Sequence, residues 1–125
     1  MAVKTLEVDE AKDDADTVLS EFFLEVGLLH PLRHPNIVML LCAVCSPPQL
    51  MMVLELASEG ALDAALQDAT RSLHGTGYWP TALGIATDVA RGVAFLHQLT
   101  PMIVHRDLKP ANVLLFEGWR AKITE

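Results

Sequence analysis

The chain has 125 residues, a length that suits one small domain with its own core. Half of it is apolar and a fifth is charged, the balance of a globular protein and not of a disordered one. A formal net charge of −7 argues against electrostatic capture of nucleic acid or anionic lipid.

Met1 to Leu6 is a short apolar-rich run around Lys4 and reads as a strand. Glu7 to Asp16 holds six carboxylates against the single Lys12, the pattern of a solvated loop. Thr17 to Leu32 reads as a helix. Phe22, Val26 and Leu29 recur at the steps of one helix face, and Asp16 or Thr17 can cap its start. Pro31 and then His34-Pro35 mark its exit.

Ile37 to Cys45 and Leu50 to Leu56 are apolar runs joined by Ser46-Pro47-Pro48-Gln49, which predicts a hairpin. Cys42 and Cys45 form a C-x-x-C pair within the first run. Zinc needs a second pair of Cys or His at matching spacing, and His30, His34, His74, His97 and His105 supply none. The pair is therefore expected to be two small buried side chains on a strand.

Gly60 permits a turn, and Leu62 to Ala69 reads as a short helix. Thr70 to Tyr78 reads as a loop. Pro80 to Leu99 predicts a long amphipathic helix, with Leu83, Ala86, Val89, Ala90, Val93, Leu96 and His97 on one face. Val113 to Phe116 and Ala121 to Thr124 read as strands around a Glu117-Gly118 turn. The order predicts an α+β fold, a small sheet segregated from a helical part. The longest apolar stretch, Ile37 to Cys45, is too short to cross a bilayer, and no secretory signal opens the chain. A reduced, cytoplasmic protein is expected.

The chemistry lies in the polar segment between the long helix and the strand at Val113, which reads His105-Arg106-Asp107-Leu108-Lys109-Pro110-Ala111-Asn112. A carboxylate at Asp107 can orient a hydroxyl and take its proton as a phosphoryl group arrives. Lys109, two residues on, can neutralise charge on the moving phosphate. Asn112 offers an amide oxygen, a hard ligand suited to Mg²⁺.

This string is similar to the catalytic loop of the eukaryotic protein kinase family, and the resemblance runs along the whole chain. H-R-D-L-K-P-A-N is the form seen in serine/threonine kinases, and the HPNIV and following strand regions look most like the tyrosine-kinase-like group. The resemblance implies a protein kinase-like fold with part of the N-lobe at 1–54, a hinge at 55–60 and part of the C-lobe at 61–125. Met1-Ala2-Val3-Lys4 resembles the family's V-A-I-K, so Lys4 would contact the α- and β-phosphates of ATP. Its partner would be Glu25, nine residues before His34, with Glu21 one helical turn earlier as the alternative. Leu54 would stand beside the adenine pocket. The Glu55 carbonyl and the Ala57 N–H would meet the adenine edge, and Ala2, Leu62 and Leu114 would sandwich the ring. The implied activity is ATP-dependent transfer of the γ-phosphoryl group to a protein serine or threonine, with Mg²⁺.

Two departures from the family pattern bear on activity. No Gly-rich loop precedes Lys4, and the sequence reaches Glu125 where D-F-G is expected. Counting from Asp107, Glu125 falls at the metal-binding Asp, but its extra methylene misplaces the carboxylate. A complete kinase domain is roughly twice this length or more. The expectation is a fragment inactive alone, with the long helix presenting an uncovered apolar face. The competing readings are a non-catalytic kinase-like chain that binds nucleotide or a protein, and a small α+β domain with no nucleotide role.

Overall fold

A computed structural model describes residues 1–7, 14–68 and 79–124. The acidic stretch at 8–13, the expected end of the short helix at Ala69, the expected loop at 70–78 and Glu125 lie outside the described residues. The chain forms two compact units: residues 1–33 with 39–56, and residues 34–38 with 57–125.

The first unit is a helix on a three-stranded sheet. Strand β1 (Ala2–Glu7) is followed by helix α1 (Ala15–Leu29), then β2 (Leu40–Ser46) and β3 (Gln49–Leu54). The order is β1-β3-β2, with both neighbours of β3 antiparallel to it. Ser46 pairs with Gln49, so Pro47-Pro48 forms the loop of a tight hairpin. Neither proline has an N–H to offer a ladder, which is why pairing stops there.

Helix α1 begins two residues earlier than predicted because Asp14, and not Asp16 or Thr17, caps it. The Asp14 carboxylate accepts from the Asp16 backbone N–H at 3.3 Å and from the Thr17 hydroxyl at 2.8 Å. The exit comes at Leu29. There the guanidinium of Arg33 donates to the carbonyls of His30 and Leu32 at 2.8 and 2.9 Å, satisfying acceptors near the helix end that have no helical partner. Phe22, Val26 and Leu29 share the inward face with Val18 and Leu19. They pack on Leu40, Leu50, Met52 and Leu54 of the sheet. Leu50, Met52 and Leu54 alternate along β3, so one face of the sheet meets the helix.

Cys42 and Cys45 are exposed, contrary to the expectation that both are buried. Strand β2 lies at the edge of this sheet, and only Leu40 along it is buried. The apolar run suggested a core strand, but a register shift between Leu40 and Cys42 changes which side chains face α1. A three-residue spacing also sends the two thiols to opposite faces of a strand, so they cannot close on one metal ion from β2.

The second unit carries β4 (Gly60–Ala61), α2 (Leu62–Gln67), α3 (Trp79–Gln98), a 3₁₀ turn at Pro110–Asn112, β5 (Val113–Phe116) and β6 (Arg120–Ile123). Its sheet has the order β4-β5-β6, antiparallel throughout. The segment His34–Val38 lies along the free edge of β6. Ile37 bridges Ile123 in parallel, Val38 N–H donates to the Ile123 carbonyl at 3.0 Å, and Ile123 N–H donates to the Asn36 carbonyl at 2.9 Å.

The apolar stripe of α3 stands uncovered, as expected, except at Leu96, and the side that packs inward is a different one. Ile85, Asp88, Gly92 and Leu96 are its buried residues. Leu83 is 59% exposed, and Ala86, Val89, Ala90, Val93 and His97 line an open groove of about 800 Å³. Periodicity alone picks the broad apolar stripe, whereas the inward side holds Asp88 and Gly92 beside Ile85 and Leu96. Packing picks the side that fits β6. At Gly92 an added Cβ would stand 2.7 Å from the Asn36 carbonyl oxygen, so only glycine lets the helix approach this closely.

Candidate functional site

In the first unit, Lys4 projects from β1 and its Nζ lies 3.1 Å from Glu25 Oε1 on α1. It is Glu25, and not Glu21, that takes this lysine. The pair is partly solvated, with side-chain exposures of 49% and 26%, so its contribution to stability is at most about 1 kcal/mol. Ala2 and Leu54 face one another as register partners across β1 and β3, both half-buried. Glu55 follows directly. Its N–H donates to the Met39 carbonyl at 3.1 Å, and its carboxylate accepts from the Met39 N–H at 2.8 Å. That double contact ties the end of β3 to the start of β2.

In the second unit, Ala57 accepts from the N–H of Gly60 at 3.4 Å, closing the turn that Gly60 completes with a φ of 75°. Leu62 opens α2, one residue after Ala61, and Ala61 pairs with Leu114 on β5. Leu62 and Leu114 are half-buried near this short ladder.

The residues of the H-R-D-L-K-P-A-N string converge. Asn112 is buried, and its Nδ2 donates to the Asp107 carbonyl at 2.9 Å and to Asp107 Oδ2 at 3.1 Å. Lys109 Nζ stands 3.3 Å from the same Oδ2. Asp107 itself is exposed, so a hydroxyl can reach its carboxylate. Both bonds of the Asn112 amide use nitrogen, which turns Oδ1, the hard oxygen, toward any other partner. Arg106 supports this geometry with a φ of 70°. A left-handed residue that is not glycine costs about 1–2 kcal/mol, and such strain gathers where a loop must aim a side chain.

Reading residues for their roles in the loop missed what holds it. The His105 ring has the Asp107 N–H at 3.2 Å from Nδ1, and its Nε2 meets the Thr124 carbonyl. A backbone N–H can only donate and a carbonyl can only accept, so His105 carries its proton on Nε2. Thr124 N–H donates in turn to the Asn112 carbonyl at 2.9 Å. The same local device occurs at His34, whose Nδ1 accepts from the Asn36 N–H at 3.0 Å and whose ring stacks on Phe95 with centroids 4.8 Å apart. His-X-Asx at both places is the signal that sequence reading had available. Asn36, 2% exposed, also donates from Nδ2 to the Ala121 carbonyl at 2.9 Å.

Among the described residues, no group of three or more His, Cys, Asp and Glu side chains could hold a metal ion. The oxygens near Asn112 instead suit a hard cation that takes most of its ligands from phosphates and water. Among the described residues, no helix is long and apolar enough to cross a membrane.

The family model described as "Protein kinase domain" matches residues 1–125. The probable serine/threonine-protein kinase drkA of Dictyostelium discoideum is 35% identical over 125 residues, all of this chain and 18% of that protein. The probable serine/threonine-protein kinase SIS8 of Arabidopsis thaliana is 39% identical over 114 residues, 91% of this chain and 11% of that protein. Serine/threonine-protein kinase CTR1 of the same plant is 39% identical over 112 residues, 86% of this chain and 13% of that protein. The chain thus spans less than a fifth of the length of these relatives. A match along its entire length, with relatives that are serine/threonine kinases, means that the chain belongs to the protein kinase domain family, serine/threonine type.

Proposed function

We propose that this chain supplies the phosphate-facing lysine and the catalytic loop of an ATP-dependent protein serine/threonine kinase. The observation that carries the reading is the cluster of Lys109 and Asn112 on one carboxylate oxygen of Asp107. The Asp107 carboxylate accepts the proton of a protein hydroxyl as its oxygen bonds to the γ-phosphorus and the β–γ bridging bond breaks. Lys109 offsets negative charge on the moving phosphoryl group. Lys4, oriented by Glu25, holds the α- and β-phosphates. Ala2, Leu54, Leu62 and Leu114 enclose the adenine, and the backbone at Glu55 and Ala57 meets its polar edge. Mg²⁺, when bound with ATP, neutralises phosphate charge, and Asn112 Oδ1 is the residue atom that would hold it, with Glu125 as a further candidate. The cytosol, which supplies Mg-ATP, is the proposed setting.

The full-length gene product should transfer phosphate from Mg-ATP to serine or threonine of a generic protein substrate. Asp107→Asn should lower kcat at least about 10²-fold. An Asp107→Asn rate equal to the parent's overturns the assignment. No transfer by the parent favours a chain that binds nucleotide or a protein without catalysis. The 125 residues expressed alone should show no measurable transfer, because they contain neither a Gly-rich loop nor D-F-G, and positioning supplies most of this chemistry.

A further inference from the structure

The buried face of α3 carries a carboxylate where an apolar side chain is the ordinary choice. Asp88 is 5% exposed. Its Oδ2 accepts from the Ala121 backbone N–H at 3.0 Å and from Arg120 Nε at 3.3 Å. A buried charge must be paired, and apolar replacements of buried ion pairs are often as stable or more so. Stability alone is therefore a weak reason for an acid at this position.

The geometry around Ala121 gives a better reason. Ala121 is fully buried. Asp88 takes its N–H, and Asn36 takes its carbonyl from the other side. Both polar groups of one residue on β6 are thus held by side chains of two other segments. Such a double hold fixes where β6 lies along α3 to within a hydrogen-bond length. Three residues on, Thr124 grips the loop, through its N–H to the Asn112 carbonyl and its carbonyl to His105. Asn112 then bonds to Asp107. A slip of β6 moves Thr124, and with it both anchors of the loop.

We infer that Asp88 is a positioning residue for phosphoryl transfer, which sets the placement of Asn112 and Asp107 through β6. The inference rests on the kinase reading of those two residues. Displacing a reacting group by about 1 Å can cost on the order of 10²-fold in rate.

The test uses the full-length gene product. Asp88→Ala should lower kcat about 100-fold while KM for ATP stays within about twofold. Asp88→Asn can present its amide oxygen to the same N–H, and should recover kcat to within about fivefold of the parent. In parallel, the side-chain NH₂ resonance of Asn112 and the exchange rate of the Thr124 amide should change in Asp88→Ala and return in Asp88→Asn. Where Asp88→Ala does not fold, Asp88→Glu replaces it, since it keeps the charge but displaces the carboxylate by one methylene. The same changes are then expected. An unmoved Asn112 resonance in a folded Ala or Glu variant overturns the inference, as does a parent-like kcat. Absence of transfer by the parent overturns the kinase reading instead, and the resonance and exchange data still decide on Asp88.

Discussion

Lys4 shows how a single residue's role separates from its contribution to stability. Its ion pair with Glu25 is half in solvent, with side-chain exposures of 49% and 26%, and such pairs contribute about 0–1 kcal/mol. If Lys4 serves the phosphates, its removal should damage catalysis far more than folding. Lys4→Met in the full-length gene product should lower kcat/KM for ATP about 10²-fold, by analogy with loss of one charge-stabilising donor. Its melting temperature should stay within about 4 °C of the parent's, the shift that 1 kcal/mol causes in a domain of this size. A large drop in melting temperature with activity retained would assign Lys4 to structure. At the same scale, the His105 ring is committed at both nitrogens to backbone groups. It orients the loop and is not itself poised to exchange a proton with a substrate.

At the scale of elements, α3 and β6 of the second unit meet in a close contact. Gly92 sits against the Asn36 carbonyl and the Ile123 side chain, with a Cβ-equivalent position 2.7 Å from the oxygen and 3.3 Å from the Ile123 carbons. Gly92→Ala adds helix propensity, which elsewhere stabilises by about 1 kcal/mol. Here the methyl collides with backbone, and overpacking costs about 1–3 kcal/mol. The collision should win. Urea denaturation should give a lower midpoint for Gly92→Ala, and Asn36 and Ile123 should show the largest resonance changes. A raised midpoint would mean that α3 has room to retreat. In the first unit, β2 makes the opposite point, since an edge strand read as a core strand leaves Cys42 and Cys45 in solvent.

Across the second unit, the groove on the other side of α3 is an open apolar feature. Leu62, Leu66, Val89, Val93 and Leu108 line it, and its walls are almost entirely carbon. An open apolar surface of this kind favours association. The 125 residues expressed alone should therefore elute from a sizing column as oligomers or aggregate. Val93→Lys, which places a charge in the groove without touching the buried stripe Ile85, Asp88, Gly92 and Leu96, should shift the chain toward monomer. A monomeric parent chain that melts cooperatively would contradict this.

The sequence by itself determined the family, the α+β class and most element boundaries to within about two residues. Local rules suffice for these: a short motif with its context, helix and strand periods, and the stops that Pro and Gly impose. The string His105 to Asn112 carried the family resemblance, and its residue types sit at steps that a short turn brings together. The tertiary structure alone decided which side of α3 is buried, because that side holds Asp88 and Gly92, which no apolar pattern marks, and the close approach at Gly92 selects it. It alone showed that two exposed cysteines lie on an edge strand, since edge or centre is a property of neighbours and not of the strand. It alone joined His34–Val38 to β6 and Asp88 to Ala121, across gaps in sequence that no local period can bridge.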